Sequence, residues 1–406
     1  MRQRIRESQG IAARPGMPQA LRIAGSDLAA PCGVIDCDAF DRNIAALAAR
    51  ANGTPIRVAS KSLRARAALD RILEHPGMRG ILAFTLPEAI WLANKGHNDL
   101  VVGYPTANVA ALRQLAGDAK LRRRITLMVD DPAQLDLIAA SGAARIPVRV
   151  CLDVDTAYTG VPGLYFGSRR SPIRTAEQAA TLARTIRRRP GIELVGIMAY
   201  EAQIAGIQDA GRGVRDAAIR RLRQASVQEL ARRRAEIVAA VRAEAPALEF
   251  VNGGGTGSIE STIAEPAVTE VAAGSGFFSP TLFDGYRAFR HEPAAFFGLD
   301  VVRKPADDIA TVLGGGWIAS GTPGADRLPQ PVHPTGLKFR HDEGAGEVQT
   351  PLVGEAARGL NVGDRVWFRH AKAGELAERL TQFTVVSDGA IVEHWPTYRG
   401  EGFAFA

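Results

Sequence analysis

The sequence predicts an α/β protein, a (β/α)8 TIM-type barrel with a second, mainly β C-terminal domain. Two observations carry that expectation. Between Ile56 and Ala272 eight apolar runs of strand length alternate with helical patterns, and strands separated by helices pair in parallel and close at eight. After about residue 290 the helical periodicity fades, and short strand-like runs punctuated by glycine turns replace it. With 406 residues, 46% of them hydrophobic, the chain can bury the cores of both parts.

Residues 1 to about 28 are polar and read as extended or loosely helical. Gly33 to Asp36 reads as a strand that precedes the barrel and can pair with the second domain. The expected division is therefore 1–37 with the β domain, 38–288 as the barrel and 289–406 as the β domain. Asp38 to Ala51 carries Phe40, Ile44, Ala45 and Leu47 at helical spacing. The eight strand candidates are Ile56–Ser60, Ile81–Thr85, Leu100–Tyr104, Ile125–Val129, Val148–Val154, Leu194–Tyr200, Phe250–Asn252 and Val268–Ala272. Helices are expected at Arg66–Leu73, Pro87–Lys95, Val109–Ala116, Ala133–Ala140, Ala176–Arg188 and Val214–Ala243. The last crossover, Ser258 to Glu265, is short, which keeps a doubly wound open sheet as the alternative. In the C-terminal part strands are expected at Thr311–Leu313, Arg365–Arg369 and Thr384–Val386, with turns at Gly314–Gly316, Asn361–Gly363 and Asp388–Gly389.

The formal charge of +7 is concentrated in arginine-rich helix stretches such as Arg184–Arg189 and Arg220–Arg223. No aromatic residues interleave with them to stack bases, so the basicity reads as solvated surface and tolerance for anionic ligands, not nucleic-acid binding. Cys32, Cys37 and Cys151 lack metal-ligand spacing and read as buried thiols in a reducing compartment. Met1–Arg6 is basic without the apolar core of a signal peptide, and no run reaches membrane-spanning length, so the expected location is the cytoplasm.

The functional reading starts at Pro55–Arg64. The apolar pattern through Ile56 to Ala59 stops at Lys61, which is therefore expected at the carboxyl end of the first barrel strand. That rim is where such barrels do chemistry, and a partly desolvated lysine there can lose its proton and attack a carbonyl carbon. The plainer alternative is a strand-capping lysine in water. Val251–Ser258 follows the seventh strand candidate with four glycines, whose amides can approach an anion closely, and with the Thr256 and Ser258 hydroxyls as further donors. It is a phosphate cradle without the ending of a Walker loop or the spacing of a dinucleotide fingerprint. Ala273–Gly276 supplies a second set of amides after the eighth strand. An amine and a phosphate anchor at one barrel mouth form the layout that holds pyridoxal phosphate.

At this point the chain resembles a known group. Lys61 on the first barrel strand, Ala30 and Pro31 before Val34–Asp36, Asp38 and Asn43 beyond them, Gly196–Glu201 on the sixth strand and Asn252–Gly257 are similar to the alanine-racemase-fold (fold type III) pyridoxal phosphate enzymes. Within that group the likeness is to the D-threonine aldolase and D-serine dehydratase branch, including amino acid deaminase/aldolase, from about residue 28 onward. The resemblance implies that Lys61 is the catalytic lysine bonded to the cofactor. It also implies that Gly254, Gly255, Thr256, Gly257, Gly274 and Ser275 hold the phosphate, with Asn252 and Tyr200 in the same site. It further implies a homodimer whose β domain completes the partner's site.

Four departures accompany the resemblance. The branch has a histidine two residues before the lysine, and this chain has Ala59. Ala202 and Gln203 follow Tyr200 and Glu201 where Gly-His is usual. Tyr158 stands where an arginine precedes Thr-Gly, leaving Arg169 or Arg170 to contact the cofactor ring. The branch also holds a divalent metal on a His-x-Cys or His-x-Asp pair; here His370 matches, but Lys372 occupies the second position and cannot ligate while protonated. Either His370 and Lys372 replace the metal as polarisers of the substrate, or Glu375 restores a ligand. The expected function is a pyridoxal phosphate lyase acting on a small β-hydroxy D-amino acid by aldol cleavage or dehydration. The alternatives are an amino acid racemase of the same fold, a non-catalytic pyridoxal phosphate carrier, and a barrel enzyme that binds a sugar phosphate.

Overall fold

The computed structural model describes residues 17–25, 28–142, 146–322, 324–372 and 374–405. The expectation for residues 1 to about 28 lies largely outside that set. Cys32–Asp36 (β1) is followed by a helix, Cys37–Ala51, and then by a closed barrel. Its strands are Ile56–Ala59 (β2), Met78–Ala83 (β3), Leu100–Val102 (β4), Ile125–Val129 (β5), Val148–Asp153 (β6), Ile192–Ala199 (β7), Phe250–Gly253 (β8) and Glu270–Ala273 (β9). Parallel pairing of β9 with β2 closes the ring and removes the open-sheet alternative. The short last crossover is a helix of five residues, Ile259–Ile263.

These strands are mostly apolar because both faces are largely covered, one by barrel interior and one by helices. β2, β4, β5, β8 and β9 are buried at every position. Inside, Val101, Met128, Cys151, Val195, Met198 and Phe250 pack together. The interior also holds Arg57, whose guanidinium donates to both carboxylate oxygens of Glu270 at 2.7 and 2.9 Å and to Asp99 at 2.9 Å. Side chains that satisfy the first free amides begin several of the helices. Thr85 accepts from the Glu88 amide, and Asp131 with Gln134, and Thr175 with Gln178, form reciprocal capping boxes. The three cysteines are free and buried.

The chain divides into two units. The sheet unit takes the chain up to Asp38, Ala295–Ala371 and Gln382–His394; the barrel unit takes Ala39–Ala294 and also Lys372–Thr381 and the chain from Trp395. Two segments that sequence order puts in the β domain thus pack as parts of the barrel unit.

In the sheet unit β1 pairs antiparallel with Ala295–Ala306 (β10) and parallel with the strand Gln382–Ser387. β10 continues to Ile309–Leu313 (β11), which pairs with the strand Gln349–Val353, and β10 also pairs with the strand Arg365–Arg369. Phe297 stacks between Trp317 and Phe368, with ring centroids at 4.2 and 5.1 Å. The 12-residue β10, the longest strand among the described residues, is hidden in the sequence because Gly298, Asp300, Lys304 and Pro305 break its apolar run.

In the barrel unit the returning segment seals a buried carboxyl. Glu88 is fully buried and accepts from the Phe84 amide at 2.7 Å and the Tyr398 hydroxyl at 2.8 Å. Burial pushes its carboxyl up to about 7, against the pull of those donors. The folded state therefore binds this proton more tightly than the unfolded chain. The resulting stability is fully present below the ordinary glutamate range and is lost as pH rises through about 7. Denaturant titrations of the wild type are expected to lose on the order of 3 kcal/mol from this group between pH 5 and 8, and Glu88→Gln should flatten that slope.

Candidate active site

Every strand of the barrel delivers its following residue to one mouth. Lys61 sits in a short 3-10 turn, Ser60–Ser62, immediately after β2. Its Nζ donates to the Tyr104 hydroxyl at 2.7 Å, and its carbonyl accepts from Arg64 Nε at 3.0 Å. Ser62 Oγ lies 3.2 Å from Ser275 Oγ, which ties the lysine turn to the loop after β9. A Cβ at Gly274 would stand 2.7 Å from Ser62 Oγ, so only glycine lets the two loops meet this closely.

The glycine loop after β8 is braced from below. Gly254 takes φ +77°, a left-handed conformation open to glycine, and its amide donates to Glu201 Oε2 at 2.9 Å. Glu201 also accepts from Ser258 Oγ at 3.3 Å and from Thr262 Oγ1, and it pairs with Arg234 at 2.9 Å. Arg234 pairs with Glu265 at 2.7 Å and donates to the Ala199 carbonyl at 2.9 Å. Ser258 and Thr256 are thus turned to structural work, Thr256 Oγ1 accepting from the Gly276 amide at 3.1 Å. The loop carbonyls are capped as well, Thr256 by Arg50 at 2.7 Å and Gly257 by Arg223 at 2.8 Å. What remains is a set of amides, those of Thr256, Gly257 and Ser275, that enter no hydrogen bond among the described residues. Unspent amides beside two guanidinium groups fit a phosphate. Gly257→Ala would drive a Cβ into the Ala205 carbonyl. It is expected to lower stability by about 1–3 kcal/mol and to weaken phosphate binding, read by urea titration with and without inorganic phosphate.

Tyr200 follows β7 with its ring against the loop, since a Cβ on Gly255 would lie 3.0 Å from Tyr200 Cε2. Burial pushes its phenol up to about 12, so it stays protonated. Arg170 reaches both aromatic rings of the mouth, its guanidinium carbon 5.7 Å from the Tyr200 centroid and 5.8 Å from that of Tyr104. Arg169 instead stacks on Tyr165 at 4.0 Å. Asn252 is placed inside the barrel, donating to Glu270 at 2.9 Å, and works with Arg57 below the mouth.

Lys372 belongs to the barrel unit and lies near enough to act electrostatically on Tyr104. His370 is buried and belongs to the sheet unit. Among the described residues no group of three or more His, Cys, Asp or Glu side chains is arranged to hold a metal ion.

Three residues of the mouth do not stand out in the sequence. Tyr104 reads there only as a strand end. Glu201 adjoins Tyr200, but its role depends on Arg234, far along a helix that reads as basic surface. Asp153 ends β6, and burial, with Asp130 close by, pushes its carboxyl up to about 7 against the opposing charge of Arg170. The detectable signal in each case is position, a polar residue at or just past the carboxyl end of a barrel strand.

Fold and site together define a class: a two-unit barrel protein in which a lysine and a glycine loop with unspent amides share one mouth. The chain belongs to the family described as alanine racemase, N-terminal domain, which it matches over residues 35–280. It is 28% identical over 254 residues to a 3-hydroxy-D-aspartate aldolase of Paracoccus denitrificans (strain Pd 1222), covering 61% of this chain and 58% of that protein. It is 29% identical over 311 residues to a D-threonine aldolase of Arthrobacter sp, covering 73% and 72% respectively. The match thus spans less than two thirds of the first relative's length. The crystal structure of D-threonine aldolase from Filomicrobium marinum has a TM-score of 0.76 at 21% identity, covering 93% of this chain and 97% of that one. D-threo-3-hydroxyaspartate dehydratase from Delftia sp. HT23 has a TM-score of 0.68 at 22% identity, covering 92% and 98%. At such identities these structures speak to the fold, the one that Lys61, Tyr200 and the glycine loop suggest. Among the described residues no helix is long and apolar enough to cross a membrane.

Proposed function

We propose that the chain is a pyridoxal phosphate-dependent lyase acting on a small β-hydroxy amino acid of D configuration, by aldol cleavage or by loss of water. The observation that carries the reading is the joining of the Lys61 turn to the loop after β9 through Ser62 and Ser275, beside the unspent amides of Thr256 and Gly257. The names of the relatives support the substrate class and its configuration.

In this reading Lys61 supplies the amine that binds the cofactor, and Thr256, Gly257 and Ser275 hold the phosphate with their backbone amides. When bound, the cofactor supplies an electron sink for the charge left at the substrate's Cα. Tyr200 stays protonated and packs beside the ring site, and Arg170 offers a fixed positive charge there. Asp153, poised to about 7, can hold or release a proton near neutral pH. Lys372, whose charge acts on Tyr104, takes over the polarising role that a divalent metal fills elsewhere in the branch. The working form is a cytoplasmic homodimer whose second domain completes the partner's mouth.

The test is direct. Purified protein should acquire a visible absorbance band with pyridoxal phosphate and keep it through gel filtration. Incubation with D-threonine, D-serine, 3-hydroxy-D-aspartate and their L forms should then yield aldehyde or ammonia from a D substrate. Appearance of the opposite enantiomer alone would establish the racemase instead, and no product from any of them would leave a carrier. Activity that survives chelation supports the role given to Lys372, whereas loss restored by a divalent cation overturns it.

A further inference from the structure

We propose that Tyr104 is a second catalytic residue of the mouth, its phenol oxygen exchanging a proton with Nζ of Lys61. The inference rests on the reading of Lys61 as the cofactor-binding amine and extends it by saying what frees that amine for reaction.

Lysine stored as an ammonium ion cannot attack a carbonyl; something within hydrogen-bond reach must take its proton. Tyr104 Oη accepts from Lys61 Nζ at 2.7 Å. Both groups stand two residues beyond the end of a barrel strand. Lys61 follows β2, Tyr104 follows β4, and β3 pairs with both strands. The phenol is therefore delivered across one intervening strand onto the amine.

The surroundings favour an oxygen that can carry negative charge. Burial alone would push the Tyr104 phenol up. The Lys61 charge and hydrogen bond, with the positive charges of Arg170 and Lys372, outweigh burial and bring it below the ordinary phenol range. Tyr200, also within electrostatic reach, is itself protonated. On its outer side Tyr104 lines a cavity of about 260 Å³ with Phe84, Thr85, Pro87, Pro105 and Asn108, none of them charged. No carboxylate figures among the largest influences on it, in contrast with Tyr398, whose phenol faces Glu88 and is pushed well up.

The step balances without a co-reactant. An N–H bond of the Lys61 ammonium breaks and its electron pair stays on nitrogen as a lone pair. The proton forms an O–H bond with the Tyr104 phenolate, giving a neutral amine and a neutral phenol. The reverse transfer restores the ammonium–phenolate pair.

Two variants, Tyr104→Phe and Lys61→Met, and two readouts test this. In cofactor-free protein, ultraviolet titration of tyrosine ionisation should show one phenol titrating early. That phenol should disappear in Tyr104→Phe and move to higher pH in Lys61→Met. In stopped-flow mixing with pyridoxal phosphate, Tyr104→Phe should capture the cofactor about 100-fold more slowly at neutral pH and recover toward the wild-type rate in alkali, where hydroxide removes the proton instead. A residue that merely packs against the lysine would lower the rate equally at every pH. Identical pH profiles for wild type and Tyr104→Phe, or an early phenol unaffected by Lys61→Met, would overturn the proposal while leaving the cofactor reading intact. Failure of the wild type to capture the cofactor at all would strike that reading instead, and the coupling of Tyr104 to Lys61 would still be decided by the ultraviolet titration.

Discussion

Replacing Lys61 by alanine is expected to leave a folded protein that neither retains pyridoxal phosphate through gel filtration nor turns over a substrate, with activity lower by roughly 10⁴-fold or more. The fold should survive because the turn is held through its backbone. The Lys61 carbonyl still accepts from Arg64, the Leu63 and Arg64 amides still bond the Ser60 carbonyl, and Ser62 still faces Ser275. The lysine side chain is only partly buried, so its loss removes little packing and stability should change by about 1 kcal/mol or less. Lys61→Arg is the informative companion: it keeps the charge beside Tyr104 but offers no amine able to condense with an aldehyde, and it should be equally colourless. Colour and activity retained in Lys61→Ala would remove the lysine from the chemistry altogether.

The second large effect is expected at Glu201, where the consequence is stability. Glu201 and Arg234 are almost entirely buried, and cutting one partner from such a pair typically costs about 3–5 kcal/mol because the other charge stays in place without water. Glu201→Ala strands more than a charge. The Gly254 amide and the hydroxyls of Ser258 and Thr262 lose their common acceptor, and Arg234 is left with Glu265 and the Ala199 carbonyl. Denaturant unfolding should show a loss in that range, together with weaker stabilisation by inorganic phosphate, because the loop that presents the free amides is no longer braced. Glu201→Gln should lose less, since its amide oxygen can still accept from Gly254. A wild-type-like midpoint for Glu201→Ala would mean that water reaches the network.

What can be read from the chain alone follows from which interactions are local. Strands covered on both faces are mostly apolar, so β2 to β9 announce themselves, and a glycine cluster at a strand end marks close backbone approach wherever it falls. Lys61 stands out for the same reason, as a charge that ends an apolar run. The residues that escape are those whose meaning lies in a distant partner. Arg234 sits in a helix of mixed charge and looks like its solvated neighbours until Glu201 and Glu265 are seen around it. The hydroxyls of Thr256 and Ser258 look like donors to a ligand, yet the fold spends them on Gly276 and Glu201. Arg170 and Arg169 are adjacent and chemically identical, and only the path of the loop sends one over the mouth and the other onto Tyr165.

The return of the chain from Trp395 into the barrel unit bears on how the molecule can be made and cut. Tyr398 reaches the Glu88 carboxyl and packs edge-on against Trp91, and Phe403 and Phe405 extend the same aromatic group. A ribosome that has passed residue 294 has emitted all eight staves but not the plug that belongs beside Glu88. During synthesis the vessel waits, with that carboxyl lacking its phenol, until every strand of the sheet unit has followed, and a gene truncated at the apparent domain border encodes a leaking cask.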